Sequence, residues 1–360
     1  MRTSIWALTA LIGCAAVATA QPAPDQFNQL WVFGDSLSDT GNVLNATTNV
    51  AFVTPRPTTP YYDSGRFTDG KPITGDGATI LTQQTSYEGV WAEGLANLLN
   101  VPAIAPVTSG ASANNTNYAT GGAESGTGTF SLFSLPNVLQ QIANYVAKPA
   151  APVASKPLYA VWAGGNDLLD AATANGATPQ TIATAETTAI ANLQTGIGQL
   201  VAAGAKYVLW PDLPPLDKTP MAQTFAANLQ TALGTASSKF ATDEDTAIAA
   251  LQKANAGLTI FKVDLYALFS AVEKNPAAYG ITNTTQGVIT YGSFSTAGFT
   301  ATANFNFEVN PDAFVFWDQI HPTSRVHALI AQAAFDAIPE PDLAAGVIAL
   351  VLIARRCRRA

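Results

Sequence analysis

The chain has 360 residues, with 25 acidic against 17 basic side chains and a formal net charge of −8. An acidic body argues against nucleic acid or an anionic membrane surface as its partner. The only cysteines are Cys14 and Cys357, close to the two ends, and the only histidines are His321 and His327, so thiol chemistry in the body and the usual zinc ligand sets are excluded.

Taken in order, residues 1–20 read as a secretory signal: Arg2, an apolar run over 5–17, and Ala18-Thr19-Ala20 as a small-residue cleavage site before Gln21. A competing pattern, Leu11-Ile12-Gly13-Cys14, resembles a lipoprotein processing box and would place a lipid on Cys14. From there to residue 338 no charge run or Pro/Ser linker divides the chain, so residues 21–338 are expected to form one domain, long enough to bury its core without a disulfide.

Within it, short runs rich in Val, Leu, Ile and aromatics mark strands at 30–33, 158–162, 207–210, 258–263 and 314–317. Helical stretches lie between them at 89–100, 136–147, 178–203, 220–255, 265–274 and 324–337. In the third, Ile182, Ile190, Leu193, Ile197 and Leu200 recur at helical spacing and form one buried face, and Thr178 before Pro179 starts it as a cap followed by a first-turn proline. Strands alternating with helices predict a parallel sheet covered on both faces, with the site at the carboxyl ends of the strands. Two segments break the rhythm: 108–129 reads as a long loop, and 275–311 as an irregular insertion or hairpin near the mouth of the site.

The chemistry is concentrated at two places. The strand at 30–33 runs into Gly34-Asp35-Ser36-Leu37, which presents a hydroxyl at the sheet edge, and Asp318 and His321 stand three residues apart in one loop. A serine hydroxyl is a weak nucleophile until a base removes its proton, and a carboxylate that orients the imidazole completes the arrangement. Ser36, His321 and Asp318 are therefore the expected nucleophile, base and orienting acid. Asp35 is a rival carboxylate by proximity, although a residue adjacent to the nucleophile points elsewhere, and His327 is expected to be an ordinary helix residue.

Five blocks carry a resemblance: Phe33-Gly34-Asp35-Ser36-Leu37-Ser38-Asp39-Thr40-Gly41-Asn42, Gly65-Arg66-Phe67-Thr68-Asp69-Gly70, Asn117-Tyr118-Ala119-Thr120-Gly121-Gly122-Ala123, Gly164-Gly165-Asn166-Asp167 and Trp317-Asp318-Gln319-Ile320-His321-Pro322-Thr323. Their order, from about residue 31 to 337, resembles the GDSL esterases and lipases, or SGNH hydrolases. The resemblance implies a flavodoxin-like three-layer α/β/α sandwich, no cofactor, and an oxyanion hole formed by the Ser36 N–H, Gly122 (Gly121 as near alternative) and Asn166. Asn166 is also a candidate helix cap. The Gly65–Gly70 block is expected to shape the loop, with Arg66 pairing an acid. Phe294, Phe299, Phe305 and Phe307 are candidate acyl-pocket residues or simply packed rings. The Gly-x-Ser-x-Gly elbow of another hydrolase fold is missing.

The last segment, 339–360, holds Pro339-Glu340-Pro341, an apolar run over 343–354 and Arg355-Arg356-Cys357-Arg358-Arg359. The run is shorter than the ~20 residues a membrane-crossing helix needs. The arrangement resembles the PEP-CTERM sorting tail of Gram-negative bacteria, which implies transient inner-membrane retention, cleavage by an exosortase-type protease, and a final place at the cell surface or outside. The expected function is a secreted serine esterase or lipase acting through an acyl-enzyme. The alternatives are a polysaccharide O-acetyl esterase using the same site, or a non-catalytic surface or matrix protein on this scaffold.

Overall fold

The computed structural model describes residues 26–48, 50, 57, 62, 64–69, 89–110, 112–130, 133–148, 155–290, 304–305 and 310–339. The expected signal segment and most of the expected sorting tail lie outside the described residues, as do Gly70, Phe294, Phe299 and Phe307.

In chain order the elements are β1 (Gln29–Gly34), α1 (Asn42–Thr47), α2 (Trp91–Leu98), the two-residue strands β2 (Thr129–Phe130) and β3 (Leu135–Pro136), α3 (Val138–Val146), β4 (Pro157–Trp162) and α4 (Gly165–Thr173). There follow α5 (Pro179–Ala202), β5 (Tyr207–Pro211), α6 (Ala227–Ala254), β6 (Thr259–Val263), α7 (Leu265–Lys274), β7 (Asn283–Gly287), β8 (Ile289–Thr290), β9 (Asn304–Phe305), β10 (Phe314–Phe316) and α8 (Ser324–Asp336).

The central sheet is parallel, in the order β1-β4-β5-β6. Its strands read as continuous apolar runs because both faces are covered. Phe33, Val161, Val208 and Trp210 pack on one side with Ile142, Ile182, Leu193 and Phe240 of α3, α5 and α6. Val32, Trp162, Leu209 and Phe261 pack on the other with Trp91, Leu95, Ile330 and Phe335 of α2 and α8. This is the expected three-layer α/β/α sandwich.

The long helix α5 forms as its sequence predicts. The Thr178 hydroxyl accepts from the Thr181 N–H, the Thr178 N–H donates in return to the Thr181 hydroxyl at 3.0 Å, and Pro179 opens the first turn. Ile182, Leu193, Ile197 and Leu200 are fully buried. Truncating one of them to alanine would cost about 2–5 kcal/mol.

The structure departs from expectation in four places. The helix predicted over 220–255 is interrupted: a short turn at Ala222–Thr224 ends where Phe225 is extended, and α6 starts anew at Ala227. Two short helices, α1 and α4, were not anticipated. The strand at 314–316 lies outside the central sheet and pairs instead, in parallel, with β7. The segment 108–129 does loop, but its middle runs along the free edge of β1, where the Val32 N–H donates to the Thr116 carbonyl and the Tyr118 N–H to the Val32 carbonyl. That contact covers an otherwise open sheet edge.

Candidate active site

β1 delivers Ser36 to the carboxyl edge of the sheet through a turn that is braced from beneath. Gln141 of α3, fully buried, accepts from the Gly34 N–H at 3.0 Å and donates to the Gly34 carbonyl at 2.8 Å. The Thr120 N–H adds a second bond to that carbonyl. Beyond the turn, Ser36 Oγ lies 2.8 Å from His321 Nε2, and His321 Nδ1 lies 2.6 Å from Asp318 Oδ2. Ser36, Asp318 and His321, predicted to meet from sequence, thus form one hydrogen-bonded chain, all of it buried.

The loop that carries Asp318 and His321 orders itself. Asp318 Oδ1 accepts the backbone N–H groups of Ile320 and His321, each at 2.8 Å. Tyr62 donates its hydroxyl to Asp318 Oδ2 at 2.7 Å. Burial by itself would raise the Asp318 carboxyl, but the neighbouring His321 charge and these hydrogen bonds outweigh it and hold the group below the usual carboxylate range. An ionised Asp318 facing Nδ1 keeps the imidazole proton on that nitrogen and leaves Nε2 free to accept from the Ser36 hydroxyl. β7 can approach this loop closely only because Gly287 has no side chain: a Cβ there would sit 2.4 Å from the Asp318 carbonyl oxygen.

The rival assignments separate cleanly. Asp35 makes no bond to His321 and accepts instead from the Leu37 N–H at 3.0 Å; its burial pushes its carboxyl up to about 7. His327 is not on the helix surface. It is fully buried in α8, accepts the Trp91 N–H on Nδ1 at 3.2 Å, and is driven by burial down to about 3, so it remains a neutral packing residue.

Three donors are the candidates for a developing oxyanion. The N–H groups of Ser36 and Gly122 have no acceptor among the described residues. The Gly121 N–H, by contrast, is taken by Asp39 Oδ2 at 2.9 Å. Gly122 has φ 85°, a left-handed conformation that disfavours any other residue. Asn166 donates one amide hydrogen to the Ala123 carbonyl at 2.9 Å, which ties it to the residue after Gly122 and leaves the second hydrogen available. Asn166 does not cap α4; the cap position is Gly164.

Several residues essential to this geometry were missed from sequence. Asp39 gathers the N–H groups of Gly41 (2.7 Å), Asn42 (2.6 Å), Val43 (3.2 Å) and Gly121, joining the nucleophile turn to the Gly122 loop. Asn117 donates to the Ser38 carbonyl at 2.7 Å and so strengthens the same junction. Asp167 accepts the Ser125 N–H and hydroxyl, fastening the far end of that loop to α4. In the Gly65–Gly70 block, Arg66 pairs Glu93 as expected, whereas Asp69 reaches past His321 to accept the N–H and hydroxyl of Ser324. Membership of the motif blocks was the available signal for Asp39, Asn117, Asp69 and Asp167. Tyr62 and Gln141 carried none.

A cleft of roughly 890 Å³, open mouth included, begins at Ser36, Asn166 and His321. Its walls come from residues 213–219, from α7 and from β10. Of the four phenylalanines proposed for an acyl pocket, only Phe305 is described, and it stands in register with Ile289 in the β8–β9 pair.

Comparison with known proteins gives a consistent picture. A GDSL-like Lipase/Acylhydrolase family profile matches residues 30–334. The thermolabile hemolysin of Vibrio parahaemolyticus is 26% identical over 316 residues, covering 86% of this chain and 63% of the hemolysin. An Arabidopsis thaliana GDSL esterase/lipase is 24% identical over 335 residues, covering 87% of this chain and 89% of that protein. The chain spans less than two thirds of the hemolysin, and 42% of a second Arabidopsis relative, the GDSL esterase/lipase APG. Among solved structures, Est24, a carbohydrate acetylesterase from Sinorhizobium meliloti, aligns with TM-score 0.37 and 14% identity over 86% of this chain and 97% of its own. The profile match spans both motif ends and everything between them, and the chain therefore belongs to the GDSL-like lipase/acylhydrolase family.

Proposed function

We propose that the protein hydrolyses carboxylic esters through an acyl-enzyme on Ser36. The observation that carries this reading is the unbroken chain from Ser36 Oγ to His321 to Asp318, with links of 2.8 and 2.6 Å. As Ser36 attacks the ester carbonyl, its proton passes to His321 Nε2, and Asp318 stabilises the imidazolium that results. Negative charge on the former carbonyl oxygen meets the N–H groups of Ser36 and Gly122 and the Asn166 amide, donors already held in place and therefore able to favour the transition state over the ground state. His321 then returns the proton to the departing alcohol. Water, activated by the same imidazole, attacks the acyl-enzyme; the second tetrahedral intermediate collapses, releasing the acid and restoring Ser36.

Export and surface release belong to the same proposal and rest on the residue pattern of the two ends alone. A cleaved leader over 1–20 and an exosortase-processed tail over 339–360 would deliver the enzyme to the cell surface or medium of a Gram-negative bacterium. The test of the chemistry is hydrolysis of p-nitrophenyl acetate by the purified protein and by Ser36→Ala and His321→Ala. Each substitution should lower kcat by several orders of magnitude, to the residual level that binding and the oxyanion donors sustain. Near wild-type turnover by a folded Ser36→Ala protein would sink the assignment.

A further inference from the structure

The bond to Asp318 fixes His321 at one edge, but a bond at Nδ1 by itself would let the imidazole swing about Cβ–Cγ and carry Nε2 away from Ser36 Oγ. A side chain keeps a working rotamer when its neighbours pack against it. Phe67 packs here: its ring centroid lies 5.2 Å from that of His321, with the two planes 35° apart.

Phe67 is buried and touches three parts of the site at once. Its ring meets Tyr62 edge to face, 6.2 Å between centroids, so both side chains that bond Asp318 Oδ2, those of Tyr62 and His321, pack on it. Its Cε2 and Cζ also lie against Gly121, where a Cβ would stand 2.3 and 2.4 Å from them. Gly121 adjoins Gly122 in the loop assigned to the oxyanion. The next two residues fasten the chain beyond His321: Thr68 donates to the Pro322 carbonyl at 3.0 Å, and Asp69 accepts the N–H and hydroxyl of Ser324. Phe67 does not line the cleft that begins at Ser36. It therefore meets the base and the Gly122 loop without meeting the substrate.

On the reading that His321 is the base, we propose that Phe67 is a positioning residue for ester hydrolysis: its ring holds the imidazole in line with Ser36 and couples the place of the base to that of the Gly122 loop. Glycine at 121 gives the ring its room. The Gly121 backbone is outside the left-handed region, so an alanine there is opposed by the Phe67 ring, and more mildly by Val43 Cγ2 at 3.2 Å, not by backbone strain.

The test is a double-variant cycle on p-nitrophenyl acetate, with circular dichroism as the check of folding. Misplacing a reacting group by ~1 Å can cost ~100-fold, so Phe67→Leu should lower kcat at least ~10-fold while KM changes less than about twofold. Phe67→Met, which also lacks a ring but fills more of the space, should behave in the same way. Gly121→Ala should lower kcat at least ~10-fold as well, by driving the ring from its place. Leucine lacks the two atoms that the new methyl would meet, so Phe67→Leu/Gly121→Ala should match Phe67→Leu within about threefold instead of multiplying the losses.

A spectroscopic readout stands beside the kinetics. The untagged protein has only two histidines, His321 and His327. In its histidine-labelled form, loss of the Phe67 ring current should move the His321 imidazole resonances, identified by their disappearance in His321→Ala, and leave those of His327 in place. A folded Phe67→Leu or Phe67→Met enzyme with wild-type kcat, a loss confined to KM, multiplied losses in the double variant, or unmoved His321 resonances would each overturn the proposal while leaving the Ser36 mechanism intact. A folded wild-type protein that hydrolyses no ester would remove the mechanism itself, and the proposal with it.

Discussion

Asn166 offers a substitution whose consequences can be worked through from its contacts. Its Nδ2 gives one hydrogen to the Ala123 carbonyl at 2.9 Å, and the other is the one proposed to meet the oxyanion. Loss of a single such donor typically removes ~3–4 kcal/mol of transition-state stabilisation, a drop in kcat of about 10²–10³. Loss of the Ala123 bond adds about 1 kcal/mol to the cost in folding stability, small enough for Asn166→Ala to remain folded. Because the amide meets a full negative charge only in the transition state, the damage should fall on kcat, with KM changed little. Asn166→Asp is the sharper probe: the side chain keeps its shape, but a carboxylate now faces both the Ala123 carbonyl and the oxyanion. Asp should therefore be worse than Ala. Steady-state kinetics on p-nitrophenyl butyrate, with circular dichroism as the check of folding, reads both variants. An Asn166→Ala enzyme with wild-type kcat and raised KM, or an Asp variant more active than Ala, would refute the assignment of this amide to charge stabilisation.

Asp318→Asn should lower kcat less than His321→Ala does, since the imidazole stays in place with a weaker orienting partner; the reverse order in the same assay would argue against the roles given to the two residues. Tyr62→Phe removes the 2.7 Å bond to Asp318 and, as a neutral bond to a charged group worth ~1.5–3 kcal/mol, should lower kcat by about a hundredfold at most with KM unchanged; unaltered kcat would reduce Tyr62 to a packing role. Asp35 sets a pH dependence of stability. Burial raises its carboxyl to about 7, so between ~4 and 7 the folded protein holds a proton that the unfolded chain has released, and this group's contribution to stability falls as pH rises through that window, by at most ~4 kcal/mol. Asp35→Asn, read by Tm from pH 4 to 8, should flatten the fall without abolishing it, because burial raises Asp212 to about 7 as well; an unchanged slope would contradict the sign.

Much of this site was legible in the sequence because its decisive residues sit in local patterns. A buried strand that ends in Gly34-Asp35-Ser36, and an Asp318 three residues from His321, declare their spacing without any knowledge of the fold, and the scarcity of histidine left almost no choice of base. The alternation of apolar strands and amphipathic helices likewise announced the three-layer architecture. What stayed hidden depends on contacts between distant segments. Tyr62 meets Asp318 and Gln141 braces Gly34 across long stretches of chain, and neither stands in a pattern that distinguishes it from any surface tyrosine or glutamine. The helix α4 escaped notice because its start is a left-handed Gly164 in a Gly-Gly-Asn-Asp stretch that reads as loop. β10 was readable as a strand but not as a separate one, since its partner β7 is a polar segment, Asn-Thr-Thr-Gln-Gly, without strand periodicity.

The most direct test of the mechanism is covalent. An organophosphonate that reacts only with an activated serine, incubated with the purified protein and followed by intact-mass and peptide mass spectrometry, should add one group per chain on the peptide that contains Ser36. Labelling should abolish ester hydrolysis in proportion, and it should disappear in both Ser36→Ala and His321→Ala. An active enzyme that takes up no label, or takes it up on a serine other than Ser36, would contradict an acyl-enzyme at this residue.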